Sequence, residues 1–449
     1  MHTDCRGLTL STDSPEAVEQ FDRAVDHYLK YHADTMQLVG AALTADPDFL
    51  MGHCLRGYLL LAAANPADRS AIAAARAAAE QAALGGSARE RLHVAALSAW
   101  EAGALDRAFA SWRAILEQAP TDLLALRISD TTYFRYGQTE AILAQARQVA
   151  PAWDKDVPGY DNFLCVWAFA HEEAGETAVA ETAVDSALAV DRTNYFAHHV
   201  KAHVMETEGR PREGSDWLAG QVAHWSRGNN LIHHLWWHRA LMELDLGARD
   251  AVLGCYDGQI RNFDEPMTRA APDHYVDLQN AAALLWRLEQ LGVPVGNRWE
   301  ELADKAEARI RDTGHLLLLP HLMLALAATG RAAAAERFLV VLRAAGAEAA
   351  RWSGPAIGGV ALPVCEAVLA HRGGDHARLV ALLAGRRTQL RLLGGSNAQR
   401  DMFMQMLLDS ARRHGDRALV GEILAEAARN HRLPPDRRAG YATAVAWLG

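Results

Sequence analysis

Cysteine is scarce. The five residues, Cys5, Cys54, Cys165, Cys255 and Cys365, are far apart and odd in number, which excludes a disulfide framework and a CxxC metal knuckle. Most of them read as small buried hydrophobes. The opening Met1-His2-Thr3-Asp4-Cys5-Arg6 lacks an apolar stretch, so no signal peptide is expected. The longest apolar run, about 316–328, is too short to span a bilayer and is interrupted by Pro320 and His321. No membrane partner is expected, and a reducing cytoplasm is the expected compartment. Basic charge is not in surplus either: the formal net charge is −10, without the basic face that a nucleic-acid partner requires. Strand-like alternation is absent and β-branched residues are few, which argues against an all-β fold. With 15 prolines and 50% hydrophobic residues, the chain is not disordered.

What is present is alanine and repetition. At 449 residues the chain is too long for one ordinary core, leaving several domains or an elongated array. In the stretch 96–126, Ala96, Ala108, Ile115 and Pro120 fall at the small, small, apolar and proline positions of a tetratricopeptide helix pair. Small side chains let two antiparallel helices cross closely. Proline ends the second helix, because it has no N–H to donate. Ala168, Ala180 and Ala187 repeat the offsets. Pro47, Pro120 and Arg192 are spaced 73 and 72 residues apart, about two repeats of roughly 34 each plus short insertions. Between these marks, apolar residues recur with helical period. Gly137, Gly175, Gly209 and Gly247 stand where helices end. The reading is an all-α, tetratricopeptide-like helix-pair solenoid, a right-handed superhelix that the carboxy-terminal helices can close on itself. Helical repeats are expected over 1–263 and further repeats over 274–449, packed on the same superhelix. The segment 352–363 (WSGPAIGGVALP) reads as the clearest long loop, and 435–447 as a final helix. A helical bundle without repeats is the bland alternative.

In such an array the first helix of each pair lines a groove, which places 122–136, 160–174, 194–209, 230–246 and 274–291 on one surface. Their histidines are clustered. His199 and His203 lie four apart, with Glu206 three further on; His234 and His238 form a second ridge. These five are the candidate catalytic residues. Imidazoles at that spacing hold a transition metal or act as acid and base near neutral pH. Trp167, His171, Glu173, Asn230, Trp237, Asp277, Trp286, Arg287 and Arg400 are the candidate ligand-binding residues, with indoles as apolar walls or stacking surfaces. The bland reading is that these histidines are core residues bonded to neighbours, since a HxxxH pair without HExxH is weak evidence for metal. No cofactor is firmly implied; a divalent metal is one occupant the cluster allows. Gly394-Gly395-Ser396 reads as a turn before a capped helix. Without GxxxxGK[ST], nucleotide binding is not expected there, and Arg400 is expected to reach a carboxylate elsewhere. No GxSxG elbow, nucleophilic cysteine signature or dinucleotide loop is present.

The strings FAHHVKAHVMETEGR (196–210), NNLIHHLWWHRALMELDLG (229–247), LLWRLEQLGVPVGNRW (284–299) and GGSNAQRD (394–401), with ALTADPDFLMGH (42–53), resemble the tetratricopeptide repeat protein 38 family over nearly the whole chain. The resemblance implies a cytoplasmic helical-repeat protein, and singles out His199, His203, Glu206, Asn230, His234, Trp237, His238, Trp286, Arg287, Gln399, Arg400 and Asp401. The family pattern has Leu or Met where His171 stands. It supplies no reaction. Three readings stay open: a protein that binds a small molecule or extended peptide in a His/Trp/carboxylate pocket, a hydrolase using that cluster, and a protein-interaction scaffold. Self-association is compatible with each.

Overall fold

Alanine-rich amphipathic stretches bury one stripe each, and a neighbouring helix is the cheapest cover for it. In the computed structural model, which describes residues 1–348 and 351–449, the result is an all-α protein of tetratricopeptide-like helix pairs. Leu50–Ala63 packs on Arg69–Ala82, Ala88–Glu101 on Leu105–Gln118, and Tyr160–Glu173 on Thr177–Val190. First helices of adjacent pairs also touch, as Leu50–Ala63 does Ala88–Glu101. The expected small positions do their work: Ala96, Ala108, Ala168, Ala180 and Ala187 are all fully buried. The helix-ending glycines Gly137, Gly175, Gly209 and Gly247 all have positive φ. The only strands among the described residues are His2–Thr3 and Thr9–Leu10, paired antiparallel.

The described residues fall into two compact units. The first comprises 1–133, 139–200 and 224–231. It holds the helix pairs up to Thr177–Val190, tied by Lys30, which bridges Asp26 at 3.0 Å and Asp191 at 2.9 Å. The second comprises 134–138, 201–223 and 232–449. Its core runs from Trp237 through the helices Tyr275–Gln290 and Leu318–Ala328 to Asn397–His414 and Tyr441.

Two local expectations are corrected in the second unit. The segment 352–363 is not a loop: a helix runs from Gly354 through a π turn at Ile357–Ala361 into Leu362–Arg372. The preceding helix approaches closely here, because a Cβ on its Gly346 would lie 2.8 Å from Gly358 Cα. This helix is the one among the described residues long and apolar enough to cross a bilayer, and 56% of its most apolar window is buried within the protein. The final helix is shorter than read, spanning Ala442–Leu448 after a 3-10 turn at Pro435–Arg437. Arg400 folds back on its own turn, donating to the carbonyl oxygens of Gly394 and Gly395 and to Asn397 Oδ1 at 2.8 Å. Ser396 and Gln399 complete a capping box there.

Candidate functional site: a histidine centre beside a charged cavity

Helix Leu231–Asp245 carries one continuous stripe at 234, 237, 238, 241, 244 and 245, the i, i+3, i+4 spacing of a single face. The first half of that stripe, His234, Trp237 and His238, meets His203 of helix Tyr195–Thr207. The His203 and His238 rings lie 4.4 Å apart and the His234 and His238 rings 4.6 Å. One ring nitrogen from each of the three lies within 4.8 Å of the others. The indole of Trp237 stacks on His234 at 5.1 Å and abuts His238 edge-on.

Two rings are held by named acceptors. His238 Nδ1 meets Glu206 Oε2 at 3.0 Å, and His234 Nδ1 meets Asn280 Oδ1 at 3.0 Å. All three imidazoles are buried. Burial pushes His238 down to about 3, and burial together with the neighbouring rings holds His203 and His234 well below the usual imidazole range. The centre is therefore a set of neutral nitrogen donors at physiological pH. Burial has the opposite effect on Glu206, raising it to about 7 despite His431 and Arg438 nearby.

The second half of the stripe, Leu241, Leu244 and Asp245, lines a cavity of about 100 Å³ together with Glu206, Trp286 and Arg287. Its far wall is helix Asn397–His414, through Asp401 and Gln405, and its cover is the C-terminal segment bearing His431, Arg438 and Ala439. Gly209 makes that cover feasible: a side chain there would strike the backbone of Leu433, while Arg432 N donates to Thr207 O at 2.9 Å. Asp401 organises the cover, accepting from Arg438 at 3.0 Å, from Gln405 at 2.6 Å and from the Tyr441 hydroxyl. Burial would raise Asp401, but Arg438 and Arg287 outweigh it and hold the carboxyl below its usual range. Asp245 accepts from Ala439 N at 2.8 Å, and burial lifts it to about 6.

Arg287 differs from the other charged wall residues. It is 5% exposed, yet among the described residues its guanidinium donates only to the carbonyls of Ala283 at 3.3 Å and Ala398 at 3.2 Å. Among the described residues it forms no ion pair, and burial lowers its pKa. It lies over the Trp237 ring at 5.8 Å. The neighbouring Trp286 Nε1 is a buried donor with no hydrogen-bond partner among the described residues.

Of the residues singled out from sequence, His203, Glu206, His234, His238, Trp237, Trp286 and Arg287 thus gather in the second unit. Asp277 is in that unit but is engaged by His233 at 3.0 Å and His274 at 3.5 Å. Arg400 is held by its own turn. Trp167, His171, Glu173, His199 and Asn230 belong to the first unit. There Trp167 stacks on His171 at 4.2 Å, His171 pairs with Glu176, and His199 packs on Phe196 at 5.9 Å. Asp245, Arg438 and Tyr441 were missed, having no motif and only helix-face position to mark them. Asp401 was visible only through the family resemblance.

No family model matches this chain. Among solved structures, the TPR domain of P58(IPK) aligns over 97% of this chain and 98% of that one, at 14% identity and a TM-score of 0.21. A structure of Naa15/Naa10 bound to HypK-THB aligns over 96% of this chain and 65% of that one, at 14% identity and a TM-score of 0.25. Likeness at that level carries no argument about this protein, and the helix pairs described above stand on their own geometry.

Proposed function

We propose that this helical-repeat protein binds a small carboxylate-bearing molecule in the cavity of its second unit. The observation that carries the reading is Arg287, a buried cation lining the cavity with no carboxylate at ion-pair distance among the described residues, Asp401 and Glu206 acting on it only from further off. Burying a guanidinium is costly unless an anion or several hydrogen bonds compensate. A ligand carboxylate matches its planar fork, and Trp286 Nε1 adds a second donor. The cavity is smaller than the roughly 300–1,000 Å³ typical of drug-sized ligands, which favours an occupant of few heavy atoms. A panel of short mono- and dicarboxylic acids, screened by thermal shift and calorimetry, tests this. At least one acid is expected to stabilise the wild type and not Arg287→Met. Equal responses from both proteins would reject the reading in favour of an interaction scaffold.

A second reading is proton transfer by Glu206, which holds His238 with one oxygen while lining the cavity. Turnover of a bound acid, abolished in Glu206→Gln without loss of binding, would select it.

A further inference from the structure

The histidine centre has properties that carboxylate binding does not require. It joins three imidazoles, drawn from two helices, around one point. Core histidines are ordinarily accommodated singly, each beside its own hydrogen-bond partner, because a second basic ring nearby adds nothing to packing and invites charge repulsion. Here the rings lie 4.4 and 4.6 Å apart. Each is at most 4% exposed.

Two of them are also oriented. A carboxylate at Nδ1 of His238 and an amide oxygen at Nδ1 of His234 place the proton on Nδ1, so Nε2 carries the lone pair. Acceptors of this kind behind an imidazole are the outer shell that fixes tautomer and direction in metal-bound histidines. Nitrogens of a tetrahedral zinc site, with bonds of about 2.0–2.1 Å, are separated by roughly 3.3 Å. The observed limit of 4.8 Å is within reach of small rotations about the side-chain torsions. The Nδ2 amide of Asn280, 1% exposed, has no partner among the described residues, which leaves a donor beside the centre for a further ligand.

We propose that His203, His234 and His238 form a binding site for a first-row divalent metal ion, with Zn²⁺ the best match to three neutral nitrogen donors. Glu206 and Asn280 are positioning residues, acting through His238 and His234. The proposal does not rest on the carboxylate reading, and either stands if the other fails.

Untagged full-length protein, stripped with chelator, is titrated with Zn²⁺ against a chromophoric competitor and, separately, with Co²⁺. One equivalent of Zn²⁺ per chain is expected, with Co²⁺ giving the intense visible bands of a four-coordinate site. His203→Gln and His238→Gln, on different helices, are each expected to weaken binding more than 100-fold. Glu206→Gln is expected to weaken it about 10- to 100-fold, while Glu176→Gln leaves it unchanged. Circular dichroism of each metal-free variant checks folding, and whichever histidine variant folds supplies the result. Failure of folded wild type to take up Zn²⁺ would overturn the proposal. So would uptake undiminished in the folded histidine variants, since the ion would then sit elsewhere.

Discussion

Replacing Arg287 with methionine separates a structural guanidinium from one retained for binding. Methionine keeps most of the apolar stem that packs against Trp237 and removes the charge. The two carbonyls that Arg287 bonds, Ala283 and Ala398, lie within the helices Tyr275–Gln290 and Asn397–His414. They keep their main-chain bonds, so the substitution strands no acceptor. What is lost is two charge-assisted bonds, about 1.5–3 kcal/mol each, and a cation–π contact of about 1 kcal/mol. What is recovered is the desolvation of a buried cation, several kcal/mol. The terms nearly cancel, and the expected change is within about 1 kcal/mol of zero, or about 2 °C in Tm for a unit of this size. If Arg287 were instead half of a structural buried pair, its loss would cost about 3–5 kcal/mol. Urea denaturation followed at 222 nm distinguishes the cases. A fall in midpoint worth more than about 3 kcal/mol at unchanged m-value would refute the argument that this cation is not part of a structural ion pair. The same variant should lose ligand stabilisation, which for the wild type reaches about 2.7 kcal/mol at a hundred times Kd.

Four further outcomes are expected. His321 bonds Leu317 O at 2.7 Å, and burial, aided by Arg287, lowers it to about 4. The unfolded chain then binds a proton below about pH 6.5 that the folded one refuses, so its contribution is intact above 6.5 and lost as pH falls towards 4. Between pH 6 and 5 the stability of wild type should fall more steeply than that of His321→Leu, by about 1.4 kcal/mol per pH unit; equal slopes would contradict the burial. Asp401→Asn leaves Arg438 without its carboxylate and should cost about 3 kcal/mol in chemical denaturation, whereas a neutral result would show the cover is held otherwise. Gly394→Ala should be far more damaging than Gly415→Ala. Both have positive φ, but only at 394 would the methyl run into a backbone carbonyl, that of Arg135. The control is expected to lose about 1 kcal/mol, and similar losses would refute the clash. Cys54, Cys165 and Cys365 are buried and burial raises their thiols far above the usual range. They should resist Ellman's reagent until urea unfolds the chain, and rapid native labelling would contradict their burial.

Much of the fold was legible because its determinants are local. Alanine at 96, 108, 168 and 180 reports a helix crossing, and glycine at 137, 175, 209 and 247 reports a helix end, from side-chain size and backbone freedom alone. The histidine ridges were legible for the same reason: residues four apart share a helix face wherever the helix goes. The misreadings occurred where a local cue had two physical causes. Glycine at 358 signals flexibility in a loop and close approach in a packed helix, and only the neighbouring Gly346 decides between them.

The sequence by itself determined most of the helices and which side chains ride on one face, since those follow from propensity and period. Tertiary structure alone decided which faces meet. It put Asn280 behind His234, brought Asp401 and Arg438 together across 37 residues, and left Arg287 buried with no ion pair among the described residues. Desolvation and charge compensation depend on neighbours distant in the chain, so no reading of spacing could have supplied them.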